Sequence, residues 1–163
     1  MPGDSNGDLS LQILETWNIH NRVLLFLLNG IAAEALPDAV PARTRSVADH
    51  LAHVHNVRLM WLKASAPDLL EGLSKIEKEA GPADHAALQG ALEASGAAIA
   101  ALLERGLAAG GKIKGFKPHA VAFLGYLIAH EHYHAGKVDF ILRQSGHAVD
   151  DKTHYGLWEW GVR

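Results

Sequence analysis

His130 and His134 stand four residues apart, a spacing that places two metal-binding side chains on one face of a helix. Each helical residue advances about 100° around the axis, so the two rings lie roughly 40° apart. Phe123, Leu127, Val138 and Ile141 fall on the same side, which makes this the face that turns to the core. A neutral imidazole carries one donor and one acceptor, and two unpaired rings would be costly to bury. Two core histidines bonded to backbone or water are the plain alternative. A shared metal ion satisfies both rings at once, and one turn of helix brings their nitrogens near enough to chelate it. His132 points roughly the opposite way, toward solvent.

A third ligand is expected from a second histidine-rich helix, which holds His50, His53 and His55. Its apolar stripe centres near Val47, Val54 and Trp61. His50 lies inside that stripe, His53 on one flank near Val57 and Met60, and His55 on the other flank, where exposure is expected. Periodicity does not choose between His50 and His53 and mildly favours His50. The other five histidines, His20, His85, His119, His147 and His154, are dispersed. His20 shares the apolar face of the first helix and reads as a core histidine or as a side chain supporting the metal. Tyr126 and Tyr133 fit either the mouth of the site or the bundle surface.

Four long amphipathic segments must position these groups. The first runs from about Leu9 to Ala33, with Ile13, Trp17, Leu24, Leu27 and Ile31 at helical spacing and Asp8 or Ser10 as its cap. The second runs from about Ser46 to Ala64, and Ser46 with Asp49 resembles a capping box. The third, from about Ala83 to Ala109, is rich in alanine, which favours helix and lets a neighbour approach closely. The fourth, from about Lys117 to Gln144, has Pro118 suited to its first turn and Gly146 to its stop. Residues Asp68 to Gly81 form a loop or a short helix. Trp158 and Trp160 lie in a tail expected to pack back and complete the core. With no alternating strand and no fixed repeat, the chain reads as one all-α domain over residues 1–163, a four-helix bundle.

Composition narrows the chemistry. The 163 residues include eleven histidines and no cysteine, which removes disulfides, thiolate zinc sites, iron–sulfur clusters and a cysteine nucleophile. The formal charge of -3, from 15 basic and 18 acidic residues, leaves no electrostatic footprint for nucleic acid. The polar start, Met1 to Asp8, lacks the pattern of a signal peptide, and the apolar run Val23 to Leu28 is far shorter than the roughly 20 residues of a membrane span. A cytoplasmic protein is expected.

Ser46-Val47-Ala48-Asp49-His50-Leu51-Ala52-His53 resembles the second-helix motif of DinB-like, DNA-damage-inducible four-helix bundle proteins, and His130-Glu131-His132-Tyr133-His134-Ala135-Gly136-Lys137 resembles their fourth-helix motif. Asn21-Arg22 in the apolar first helix is similar too. Mapped residue by residue, the resemblance implies a metal site of His53, His130 and His134, with His50 where the family usually carries an apolar residue. Ala135 and Lys137 stand where the family often has Arg and Gln. The implied cofactor is a divalent transition metal. Nitrogen ligation suits zinc, nickel, iron or copper, with zinc and nickel foremost. The implied activities are thiol-dependent transfer, with a low-molecular-weight thiol such as mycothiol or bacillithiol, or hydrolysis of a small substrate. A metal-binding bundle without catalysis, serving stress response or protein interaction, is the alternative, and a homodimer is the implied assembly.

His130-Glu131-x-x-His134 also spells the zincin motif, in which Glu131 would be the general base. The extended form wants glycine and histidine where this chain has Lys137 and Phe140, a distant ligand is available only at Glu159, and no strand exists to bind a peptide. In a bundle, Glu131 reads instead as a partly exposed charge on the helix surface.

Overall fold

The computed structural model describes residues 8–78 and 83–163. The polar start through Gly7 and the end of the connection expected between Asp68 and Gly81 lie outside them. Each helix begins at a side chain that takes up a free backbone N–H. The Asp8 carboxylate accepts from Ser10 at 2.8 Å to open α1, Leu9–Asn29. Ser46 and Asp49 exchange both bonds of the capping box, at 3.1 and 3.0 Å, ahead of α2, Val47–Ser65. Asp84 caps α3, His85–Ala108, and the ring of His119 caps α4, Ala120–Gln144. Pro118 therefore lies ahead of the cap rather than in the first turn, because His119 takes the capping position. The tail forms a short α5, Asp151–Gly156, capped by Asp150.

α3 and α4 each pack against both α1 and α2, so α1 and α2 occupy opposite corners of the bundle. The connection of residues 30–46 spans that diagonal, with one 3-10 turn at Ala33–Ala35. α3 is by length and composition apolar enough to cross a membrane. Its apolarity comes largely from alanine, and in the bundle it packs against two helices. Gly96 on α3 lets α1 come close: a Cβ there would meet the Asn21 amide, and Trp17 donates to the Gly96 carbonyl at 2.9 Å.

The core falls into two apolar clusters. One gathers Leu24, Leu28, Leu51, Leu92 and Leu142, the other Trp17, Leu62, Ile99, Phe123 and Leu127. Each of the four long helices places a buried polar residue of one shared layer between them: His20 on α1, Arg58 on α2, Ser95 on α3 and Glu131 on α4.

The tail packs on α1 as expected, but through small residues rather than its tryptophans. Thr153 and Gly156 are buried, and Gly156 leaves room for the Phe26 ring, over which Arg163 lies at 3.7 Å. Trp158 is 75% exposed, so it does not complete the core. A Cβ at Gly30 would sit 2.4 Å from the Thr153 methyl and 3.0 Å from its Cβ. Thr153 is stiff at χ1 and cannot swing aside cheaply. Gly30→Ala should therefore cost about 1–3 kcal/mol. Urea unfolding should show most of that loss restored in the Gly30→Ala/Thr153→Ala double variant.

Candidate metal centre

α2 and α4 lie side by side and bring His53, His130 and His134 together. One nitrogen from each lies within 4.8 Å of the other two. The rings stand tilted or edge-on to one another, with centroids 5.4 Å apart for His53 and His130, 4.6 Å for His53 and His134, and 4.7 Å for His130 and His134. His134 is buried and the other two are half-buried. His50 does not join this triangle. Its Nδ1 meets His134 Nδ1 at 2.9 Å, so one of the two nitrogens carries the shared proton. That contact holds the His134 ring and leaves its Nε2 for another partner. His130 Nδ1 is buried without a hydrogen-bond partner. Three converging imidazoles, one carrying an orphaned nitrogen, fit a divalent transition metal bound by nitrogen donors.

All four rings are held in the neutral form that a metal requires. Burial pushes His134 down to about 3, helped by the positive charge that His130, His53, His50 and Arg45 would place beside it. Burial, then Arg45, takes His50 to about 4. Burial and Arg45 lower His53 as well. Burial also lowers His130, with Glu131 opposing it and Arg45 adding to it. Groups lowered on folding take up protons when the chain unfolds. Their stabilisation is complete above an unfolded-state value of 6.5 and is lost as the pH falls toward 4 and then 3. The metal-free protein should accordingly melt at a lower temperature at pH 4.5 than at pH 7 in calorimetry. An unchanged melting temperature would contradict the buried, neutral cluster.

A cavity of about 400 Å³ opens beside His53, lined also by Arg43, Arg45, Asn56, Glu77 and Lys78. Arg43 adopts a left-handed backbone, φ 67°, uncommon for a residue with a side chain. On the opposite flank, Tyr126 stacks on His130 at 6.1 Å and belongs to an aromatic group with Trp61, Phe116 and Phe123. Tyr133 stands edge-on to His134 and is exposed.

Glu131 is 1% exposed, not a charge on the helix surface. Arg58 grips it with two hydrogen bonds of 2.7 Å, Nε to Oε1 and a terminal nitrogen to Oε2, and His20 Nε2 reaches Oε2 at 2.7 Å. Burial would raise this carboxyl; the Arg58 charge and bonds, with those of His20, outweigh it and hold the group at about 2. Both oxygens are thus occupied, which leaves Glu131 no role as the general base of a zincin. Arg58 also donates to the Leu92 carbonyl and Ser95 and lies 4.9 Å over the Trp17 ring. His20 is therefore a core histidine in this network, edge-on to exposed His132 and not part of the triangle.

Sequence reasoning missed Arg58, although it stands four residues after Val54 and seven after Leu51 on the apolar stripe, where an arginine signals a buried partner. His55 is also buried rather than exposed, because the chain after α2 covers it and its Nε2 donates to the Ser74 carbonyl at 2.8 Å. His147 pairs with Asp38 at 2.6 Å, His85 donates to the Ile31 carbonyl, and His154 meets Arg143.

A family model described as DinB family matches residues 3–160. No curated protein and no solved structure matches the chain.

Proposed function

The chain belongs to the DinB family, and we propose that it is a divalent-metal-dependent enzyme whose ion is held by His53, His130 and His134. The observation that carries this reading is the convergence of one nitrogen from each within 4.8 Å. The reaction is thiol transfer to, or hydrolysis of, a small substrate. A bound ion of this kind supplies a water or thiol with lowered pKa and an acid for a substrate oxygen. The chain's own residues supply orientation. His50 fixes the His134 ring, and Tyr126 lies flat against His130. Arg43, Arg45 and Lys78 outnumber Asp49 and Glu77 around the cavity beside His53, a balance that favours a negatively charged substrate. The chain has no cysteine, so a reacting thiol arrives on a small molecule.

Elemental analysis of protein purified without a histidine tag, followed by assays against thiol acceptors and small esters and amides, tests the reading. About one equivalent of metal per chain, with turnover only in the loaded protein, is the expected result. Less than about a tenth of an equivalent after metal supplementation would overturn the site. A full complement of metal with no turnover would make the protein a metal-binding bundle without catalysis.

A further inference from the structure

A second cavity, of about 660 Å³, lies between α1, α4 and the tail, and among the described residues it shares no lining with the cavity beside His53. Val23, Leu24, Leu27, Ala135 and Leu157 give it apolar walls, and Trp158 and Trp160 border it from the tail. Its volume and composition are those of small-molecule sites, which run from roughly 300 to 1,000 Å³ and carry a few placed polar groups.

Among the described lining residues, His20 carries a buried polar atom without a partner. The ring is 1% exposed and lines the cavity, and its Nδ1 is buried without a hydrogen bond. The bonds described above fix the other nitrogen of the ring. Glu131, paired with Arg58, is a carboxylate and only accepts, so the hydrogen between it and His20 sits on Nε2. In the neutral ring Nδ1 is then a bare acceptor. The charged side chains of the lining are already engaged, Glu131 by Arg58 and Asp139 by Arg143, and among the described residues no lysine or arginine lines the cavity to receive an anion. Gly136 adds an opening: it sits inside α4, where glycine costs about 1 kcal/mol relative to alanine, and a Cβ there would meet nothing within 4 Å.

We propose that this cavity binds an uncharged, largely apolar small molecule bearing one O–H or N–H group, which donates to His20 Nδ1. A simple alkylphenol has that chemistry. The site is independent of the metal centre, and its occupant need not be the substrate.

Titration of the full chain with 4-propylphenol, followed by amide NMR, tests this. Saturable shifts are expected at Val23, Leu27, Ala135, Gly136 and Leu157. Binding of 4-propylanisole, which lacks the donor, should be at least about tenfold weaker, a difference of about 1.4 kcal/mol. Gly136→Leu should abolish the shifts while the protein melts no lower than wild type, since leucine is a better helix former than glycine. Equal affinity for the anisole, binding that survives Gly136→Leu, or shifts confined to residues around His53 would each overturn the proposal. So would shifts of the same residues with protein concentration alone, which would make this face a contact between two copies. Metal content measured in the same samples keeps a failure here separate from a failure of the metal centre.

Discussion

Replacing Arg58 by methionine is expected to remove about 3–5 kcal/mol of unfolding free energy. A domain of this kind has only about 5–15 kcal/mol in total, so the variant should unfold at much lower urea. Arg58 and Glu131 are almost wholly excluded from water and their attraction is spent largely on offsetting desolvation. The penalty therefore falls on the partner left behind. Glu131 would retain one hydrogen bond, from His20, in place of the three it now accepts, and proton uptake at that pair would soften the loss without cancelling it. Changing both partners, as Arg58→Met with Glu131→Leu, removes the stranded charge and should recover most of the stability. A single variant as stable as wild type would show that the pair is not buried as described. The folded carboxylate holds its proton only near pH 2, against 4.5 in an ordinary glutamate. Its contribution is thus present above about 4.5 and disappears as the pH falls toward 2.

The second large effect concerns metal retention. His53→Ala, His130→Ala and His134→Ala should each leave less than about a tenth of an equivalent of metal, since a three-nitrogen site reduced to two loses a closed set of donors. His50→Phe should behave differently. His50 touches His134 and orients it, and loss of such a support weakens metal binding about 10–100-fold without changing how many ions bind. Isothermal titration of apo protein with zinc separates the two outcomes, with circular dichroism to show that each variant is folded. If His50→Phe abolished binding and His53→Ala did not, the two residues would exchange roles.

Much of this was legible in the residues. Ser46 and Asp49 announced the start of α2, and the spacing of His130 and His134 put both rings on one face of α4. What periodicity missed has a common cause. A wheel assigns a helix one buried stripe, whereas α4 is covered by α2 on one side and by α1 on another. Glu131, about 100° from His130, falls under that second cover, and its partner Arg58 lies far away in sequence. His55 was hidden by a connection whose path no helical pattern records. Trp158 went the other way. Bulk alone suggested burial, but the close approach of the tail to α1 is made by Thr153 and Gly156, where small side chains permit it.

The polar layer that divides the core has a consequence for how the helices find their heights. Apolar side chains, and the alanines of α3 in particular, tolerate sliding, since one leucine or alanine contact resembles the next. A polar layer to which each long helix contributes does not. Slipping any helix by a single turn, about 5.4 Å, would leave a guanidinium or a carboxylate facing hydrocarbon. Arg58, bonded to α3 and α4 at once, therefore works as a vernier that sets three helices to a common mark. His130 is next to Glu131 in sequence and His134 stands three residues beyond it, so the same mark fixes their level against His53. The spacing of the three imidazoles is thus inherited from an ion pair that lies outside their triangle.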